Sequence, residues 1–461
     1  MLSHVAATDG KVFHGNPEWH FATLPAKEMN LPPCGCVLVA NMKRLDIFEP
    51  YRLACTLLCL GTAAQFAPAA DWPQWRGPKR DNICGETGLL QQWPEGGPKL
   101  AWTAAGLGDG YSGVAVVGER IYTLGDGSDG CFVRALDAGT GKILWSARVG
   151  NSGGGGGFPG PRCTPTVEGA QLVVLGQFGD LVCLETAGGK ELWRHNFKDE
   201  LEGKMMSGWG YAESPMVDGG RVICTPGGPK GTLAAFDLAT GKLAWRSEGF
   251  TDNAAYCSML VETIAGARQY VQFTDASVAG VAANDGRLLW RAPRPGKTAV
   301  ISTPIFADNG VFVTSGYGIG CNLFKVTASD GQFSAEPVYA NKTMITQLGG
   351  VVKVGGHLFG YTDSKGWTCQ EFESGKLVWQ DNARLGKGSV LAVGGQLILR
   401  AEKDKGTVVL INATTTGWAE QGRFDQPERS NKNSWPPPVI AHGRLYLRDQ
   451  DKLLSYDVKA R

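Results

Sequence analysis

The stretch AFDLATGKLAW, Ala235–Trp245, recurs in altered form along much of the chain. The clearest copies are ALDAGTGKILW ending at Trp145, CLETAGGKELW ending at Trp193, GVAANDGRLLW ending at Trp290 and CQEFESGKLVW ending at Trp379. Successive copies stand roughly 40 to 50 residues apart, with no helical pattern between them, and this period is typical of β-propeller blades. The repeat therefore predicts a ring of similar four-stranded sheets.

Two further copies are weaker. KVTASDGQFSAE aligns Lys325 with Cys183 of a regular copy, and it places Glu336 near the position of the tryptophan. We expect an irregular blade there. LINATTTGWAEQ, around Trp418, is the weakest copy.

Each regular copy has the sequence of two strands joined by a tight turn. The first strand ends at Asp237 or its equivalent, whose side chain can cap a turn, and Gly241 supplies a positive φ. The tryptophan projects from the second strand, where it can bury apolar area between blades while its indole N–H stays paired. We therefore interpret the repeated tryptophans as structural: Trp102, Trp145, Trp193, Trp245, Trp290 and Trp379.

A second repeat marks the inner strands. Segments such as AESPMVDGGRVICT and ISTPIFADNGVFVT have two short strands around a glycine-containing turn. Eight such segments start near Ser112, Thr164, Ser214, Ser258, Thr303, Gly349, Ser389 and Pro437. The last segment has no outer strand after it, but PKLAWTAAG at 98–106 can supply one. The sequence predicts an all-β fold: a single eight-bladed β-propeller, closed by pairing an N-terminal strand with the C-terminal blade.

The first part of the chain has a different composition. Residues 42–69 have a basic start, the apolar run LACTLLCLGTAAQF and the small-residue site APAA, so we predict a signal peptide that is cleaved near Ala69. Residues 1–41 precede it and are expected to be a non-native upstream extension or disordered. Residues 70–97 are a lead-in segment, and 98–461 form the propeller.

Composition and cysteine spacing exclude several classes of function. The net charge is +1 with 19% charged residues, so no nucleic-acid partner is expected. The sequence has no adjacent cysteine pair, no CxxC and no histidines at metal-ligand spacing, so no metal site and no catalytic residues are predicted. The glycine run at 152–157 lacks the Lys-Ser/Thr of a phosphate loop and is interpreted as a crossing between blades.

The inner strands converge on the propeller axis, where pockets form. Two places before the start of each inner repeat stand Tyr111, Arg162, Ala212, Tyr256, Ile301, Gln347, Lys387 and Trp435. Such variety is not what a structural repeat requires, because charges stand where a core would be apolar. The candidate ligand-binding residues at this rim are Arg162, Glu213, Tyr256, Gln347, Lys387, Trp435, Trp209 and Tyr211. The alternative is that these groups satisfy one another and ordered water in a narrow channel.

The repeat A-x-D-x-x-T-G-K-x-x-W resembles that of the pyrroloquinoline-quinone-type (PQQ-like) β-propeller family. The family includes quinoprotein alcohol dehydrogenases and the propeller lipoprotein of the outer-membrane barrel-assembly machinery, which binds no quinone. Further stretches, including DWPQWRGPKRDN, SGWGYAESPMVDGGRV and HGRLYLRDQDKLLSYD, resemble a secreted planctomycete-type subgroup. The resemblance covers nearly all of residues 70–461.

The resemblance to the dehydrogenases implies a specific cofactor site. Those enzymes hold the quinone between a disulfide of adjacent cysteines and a tryptophan, with calcium on Glu, Asn and Asp and a second Asp as base. This sequence lacks the adjacent cysteines. The resemblance therefore indicates the fold more strongly than the cofactor.

Three functional hypotheses follow. The first is an exported, non-catalytic propeller in the periplasm or outside the cell, monomeric and without a cofactor. It would bind an envelope protein, a peptide or a small ligand at the axis. The second is a dehydrogenase that uses pyrroloquinoline quinone with calcium in an atypical site, and the third is a carbohydrate-binding propeller.

Overall fold

Eight four-stranded antiparallel sheets form the fold, one for each predicted blade. The computed structural model describes residues 70–460. The predictions for residues 1–69, including the signal peptide, lie outside the described residues. Within the described part, the single helix is α1 (Phe197–Leu201), and no helix is long and apolar enough to span a membrane.

The blades follow one another along the chain, each from an inner strand at the axis to an outer strand. Blade 1 consists of β3 (Ala115–Val117), β4 (Arg120–Asp126), β5 (Cys131–Asp137) and β6 (Ile143–Gly150), and blade 2 of β7 (Thr166–Glu168), β8 (Gln171–Leu175), β9 (Asp180–Glu185) and β10 (Glu191–Asn196). Blade 3 consists of β11 (Met216–Asp218), β12 (Arg221–Cys224), β13 (Ala234–Asp237) and β14 (Leu243–Arg246), and blade 4 of β15 (Leu260–Ile264), β16 (Ala267–Phe273), β17 (Ser277–Ala282) and β18 (Leu288–Pro293). Blade 5 consists of β19 (Ile305–Ala307), β20 (Gly310–Ser315), β21 (Gly320–Ser329) and β22 (Gln332–Asn341), and blade 6 of β23 (Val351–Val354), β24 (His357–Thr362), β25 (Gly366–Glu371) and β26 (Leu377–Asp381). Blade 7 consists of β27 (Gly388–Val393), β28 (Gln396–Ala401), β29 (Val408–Asn412) and β30 (Glu420–Phe424). The eighth blade combines β31 (Val439–Ala441), β32 (Arg444–Asp449) and β33 (Lys452–Asp457) with β2 (Lys99–Ala104) from the start of the propeller.

The predicted ring closure is confirmed. Strand β2 pairs antiparallel with β33, and Trp102 lies opposite Ser455 at the position that a blade tryptophan takes. The first and last parts of the propeller are thereby held in one sheet. A short strand that was not predicted, β1 (Ile83–Cys84), adds to the inner edge of blade 7 by parallel pairing with β27.

The repeated turn has the predicted geometry. Asp237 Oδ1 accepts hydrogen bonds from Thr240 N at 2.8 Å and from Thr240 Oγ1 at 2.6 Å, and Gly241 has a φ of 72°. The Trp193 ring from the preceding blade packs on Gly241 so closely that a Cβ there would come within 2.7 Å of it. Trp193 Nε1 also donates to Leu238 O at 2.8 Å. The tryptophan therefore docks on the turn of the next blade.

Three other blade tryptophans make the same contact. Their indole nitrogens donate to backbone carbonyls within the turn of the next blade: Trp102 to Ala138 O at 3.2 Å, Trp145 to Thr186 O at 3.2 Å and Trp379 to Thr414 O at 2.7 Å. The two remaining tryptophans differ. Trp245 packs on Gly286 of the next blade, but its buried Nε1 has no partner among the described residues. Trp290 donates to Gln269 Oε1 in its own blade.

The fifth blade, which follows Trp290, is irregular, and its structure corrects one alignment. Strands β21 and β22 are ten residues each, so the hairpin extends beyond the usual turn. Tyr339, rather than Glu336, takes the tryptophan position: it lies opposite Leu323, and its hydroxyl donates to Phe372 O of blade 6 at 2.9 Å. The alignment of Lys325 with Cys183 was therefore wrong, because the longer hairpin shifts the register.

The structure also explains why the repeat copy around Trp418 is the weakest. In blade 7 the tryptophan position, opposite Leu410, is Gly422, and Trp93 of the lead-in segment packs against it. Trp93 N donates to Gln421 O at 2.8 Å. Trp418 stands before this position, and its indole bonds the Glu420 carboxylate at 3.0 Å.

Two matched variants separate the ring packing from the hydrogen bond of the tryptophans. Trp193→Phe leaves Leu238 O without its donor and should lower the free energy of unfolding by about 1–2 kcal/mol more than Trp245→Phe does. Trp245→Phe removes an N–H that has no partner in the described structure. Urea denaturation measures both, and equal losses would contradict the docking role of the indole N–H.

Candidate functional site

One end of the propeller axis is closed by the lead-in segment. Residues 72–86, called the plug below, bond to the inner strands around the axis, as shown by Trp72 pairing with Val116 in β3. The plug reaches every blade. Its partners in blades 1 to 8 are Val116, Val167, Ser214, Met259, Thr303, Val351, Val390 and Gly443.

Two buried arginines hold the plug in place through hydrogen bonds to the blades. Arg80 donates to Ser214 O at 2.8 Å and Met259 O at 2.9 Å, and Arg76 donates to Val351 O at 2.6 Å. Each is 2% exposed and has a positive φ, which an L residue adopts only where the surrounding structure enforces it. Burial lowers the pKa of both guanidinium groups to about 10, so both stay charged at neutral pH.

Above the plug lies an axial cavity of about 360 Å³. All eight residues expected two places before the inner repeats line it: Tyr111, Arg162, Ala212, Tyr256, Ile301, Gln347, Lys387 and Trp435. Trp209 lines it as well, and the floor includes Trp75, Arg76 and Asn82 of the plug. Ligand binding by these residues stays a prediction, but their convergence on one cavity is observed.

Two of the candidate residues do not line the cavity. Glu213 is 1% exposed and is not among the lining residues, although its neighbour Ala212 is. Its Oε2 accepts a hydrogen bond from Thr225 N at 2.8 Å. Tyr211 is buried against Phe197 and donates to Pro226 O at 3.0 Å. Both support the wall from behind.

Aromatic rings form two groups on the cavity wall. The Tyr111 and Trp435 rings are stacked with centroids 4.0 Å apart, and the Phe158 centroid lies 5.1 Å from that of Trp435. Trp209 and Tyr256 make the second group, with centroids 6.0 Å apart. Flat apolar faces of this kind suit an organic ligand.

The glycine run forms part of the cavity mouth. It joins blades 1 and 2 as predicted, and all five glycines of 153–157 have positive φ. Gly160 N donates to Gly153 O at 3.3 Å, which pinches the base of the loop. Phe158 at the tip is 39% exposed and lies against Trp435. The loop is therefore more than a crossing, because its tip lies over the site.

The cavity walls are predominantly cationic. The ionisable lining residues other than tyrosines are Arg76, Arg162, Lys387, Lys403 and Glu402. Lys387 bonds to Gln347 and lies 3.7 Å from Asp363 Oδ1. Burial raises the pKa of Glu402, and Lys387 and Lys403 oppose that rise. A neutral Glu402 would leave the cavity still more positive.

Sequence reasoning missed the plug residues and the loop tip. Trp75, Arg76 and Asn82 lie before the first repeat, so the alignment of blades could not place them. The available signal was WPQWRGPKRDN itself, which puts two tryptophans and three basic residues in the lead-in segment, outside the repeat. Phe158 is the one large side chain that follows the glycine run before Arg162.

The donor set of the cavity does not fit a calcium-bound quinone. Calcium takes six to eight oxygen ligands, with carboxylates prominent among them, whereas Glu402 is the one acidic residue among the lining residues. No group of three or more His, Cys, Asp or Glu in the described residues could hold a metal ion. The eight cysteines of 70–460 are buried and unpaired, so the disulfide of the quinone enzymes has no counterpart there.

The fold and its repeat define a β-propeller of the PQQ-repeat class. Residues 129–380 match the family model described as outer membrane protein assembly factor BamB, and the chain belongs to this family. Among solved structures, BamB from Moraxella catarrhalis superposes with a TM-score of 0.54 at 14% identity, over 78% of this chain and 98% of that one. Quinohemoprotein alcohol dehydrogenase from Comamonas testosteroni superposes with a TM-score of 0.59 at 13% identity, over 86% and 82%.

Curated relatives match over part of the chain. The dehydrogenase subunit of an alcohol dehydrogenase (quinone) from Gluconacetobacter polyoxogenes is 34% identical over 33% of this chain and 21% of its own length. Serine/threonine-protein kinase AfsK from Streptomyces griseus is 29% identical over 34% of this chain and 19% of its own length. The chain thus spans about a fifth of the length of these relatives, and the similarity reflects the shared repeat.

The buried Glu213 carboxyl predicts a specific pH dependence of stability. Burial raises the pKa of Glu213 from 4.5 to about 8. Because the unfolded chain releases this proton first, the free energy of unfolding should fall as pH rises from about 4.5 to about 8, by an amount on the order of a few kcal/mol. Denaturation of the protein and of Glu213→Gln across this range measures the difference. A constant difference between the two proteins would contradict the assignment.

Proposed function

We propose that the protein is an exported, non-catalytic binding propeller and that its axial cavity is the binding site. The observation that carries the proposal is the asymmetry of the axis: the plug closes one end, and the other opens into a cavity lined by varied aromatic and charged side chains. A small ligand, or the end of a peptide, would enter from the side of Phe158, Trp209 and Trp435.

The distribution of residue types supports a binding role for this end. Four of the six blade tryptophans keep one structural contact from blade to blade, whereas the lining position holds seven residue types in eight blades. A channel whose residues served only to fill it would favour small apolar side chains, as in the core of a compact barrel. The half-buried Trp209 and Lys387 are available to a ligand without rearrangement of the inner strands.

Two alternatives are less well supported. A quinone-dependent dehydrogenase is suggested by relatives bearing that name, but the cavity lacks the carboxylate set and disulfide discussed above. A carbohydrate site is favoured by the Trp209 and Tyr256 rings, since sugar rings pack on aromatic faces. The excess of cations favours a charged ligand over a neutral sugar.

Ligand-observed NMR with a library of organic acids, amides and monosaccharides tests the proposal. We expect compounds that bind the protein with affinities weakened about tenfold or more by Trp209→Ala, because this ring is a large part of the apolar wall. Trp418→Ala is the matched control, since Trp418 does not line the cavity. If no compound distinguishes the two variants, the axial site is refuted.

The same preparation tests the dehydrogenase alternative. Protein mixed with pyrroloquinoline quinone and calcium should show no dye-linked oxidation of alcohols. Turnover above that of the free cofactor would overturn the non-catalytic assignment.

A further inference from the structure

The floor of the cavity contains an unusual cation. Arg76 is 2% exposed, and its Nε and Nη2 donate to the backbone carbonyls of Arg80, Asp81 and Val351. No hydrogen bond joins its Nη1 to any described residue, and Arg76 lines the cavity. One guanidinium nitrogen is thus left for a partner that comes from the cavity.

The positive charge at the floor is not neutralised by a neighbouring carboxylate. Neither Arg76 nor Arg80 forms an ion pair among the described residues, and Asp81 acts on Arg76 only through the longer-range attraction of opposite charges. Glu213 acts in the same way on Arg80, and burial raises the pKa of this carboxyl to about 8. Buried charges are normally paired, so Arg76, whose bonded partners are backbone carbonyls, favours an anion at the cavity floor.

The walls point to a particular kind of anion. Lys403 is exposed at the rim, while Arg162 lies over the Tyr111 ring with Cζ 5.5 Å from its centroid. Trp209 and Tyr256 supply apolar faces to the cavity wall. A guanidinium recognises the planar carboxylate group well, and aromatic walls recognise an apolar body attached to it.

We propose that the axial cavity binds a carboxylate, with Arg76 Nη1 as its anchor and Trp209 and Tyr256 around its apolar body. This inference rests on the proposed function, because it names the ligand class of the same site. A free aromatic acid and the C-terminal carboxylate of a peptide carry the same chemistry. The plug is then a functional element as well as a seal, since it supplies the anchor.

Isothermal titration calorimetry with paired acids and amides tests the proposal. Benzoate and benzamide represent a free acid, and N-acetylphenylalanine and N-acetylphenylalaninamide represent a peptide terminus. In at least one pair the acid should bind about tenfold or more tightly than the amide, which is the effect of one charge-assisted hydrogen bond. The pair with the larger ratio identifies the source of the carboxylate.

Two substitutions in the plug test whether Arg76 is the residue that binds the carboxylate. Arg76→Met should abolish the preference for the acid, whereas Arg80→Met, the same change at a buried plug arginine that does not line the cavity, should preserve it. Thermal denaturation establishes that each variant is folded. Should either fail to fold, Lys403→Gln serves at the exposed rim and is expected to reduce the acid-to-amide ratio about twofold or more.

The possible outcomes separate this inference from the proposed function. Acids and amides that bind equally well, with both weakened by Trp209→Ala, would overturn the carboxylate assignment and leave the binding propeller intact. An acid preference that survives both Arg76→Met and Lys403→Gln would overturn the assignment of the anchor. If none of the four probes and no library compound binds, both proposals fail together.

Discussion

A ring of eight blades leaves a channel along its axis, and closing that channel is the constraint on which the rest of the structure depends. Carbonyl groups at or just before the starts of several inner strands need donors, among them Ser214 O, Met259 O and Val351 O. The plug supplies them, chiefly through the side chains of Arg76, Arg80 and Asn82. One short segment therefore bonds to all eight blades, and it fixes which end of the axis is open.

Stability and recognition use different parts of each blade. Trp193 and its equivalents hold the blades together far from the axis, by packing on the glycine turn of the next blade and bonding its backbone. Residues at the inner strand starts also bond from blade to blade, as Ser214 N does to Ser258 Oγ at 2.9 Å, but nearby side chains line the cavity. Ala212 lines the cavity while Glu213 does not, so these two neighbouring positions have separate roles.

Much of this arrangement was predictable from sequence because it repeats. Period and turn chemistry gave eight blades and the closing strand around Trp102, and alignment of the inner strands gave all eight lining positions. What does not repeat was missed. Arg76 precedes the first blade, and Phe158 lies at the tip of an inter-blade loop. Tyr339 replaces a tryptophan in a longer hairpin, and no alignment of regular copies would show that extra length.

The plug closes one end of the axis and leaves a cationic binding cavity that opens at the other end. Anomalous diffraction from crystals soaked in 4-bromobenzoate tests it most directly, because bromine marks the ring and its orientation places the carboxylate. We predict one bromine peak inside the axial cavity, near Trp209 and Tyr256, with the carboxylate about 3 Å from Arg76 Nη1. A cavity filled by water alone, with bromine on the outer surface of the blades, would contradict it.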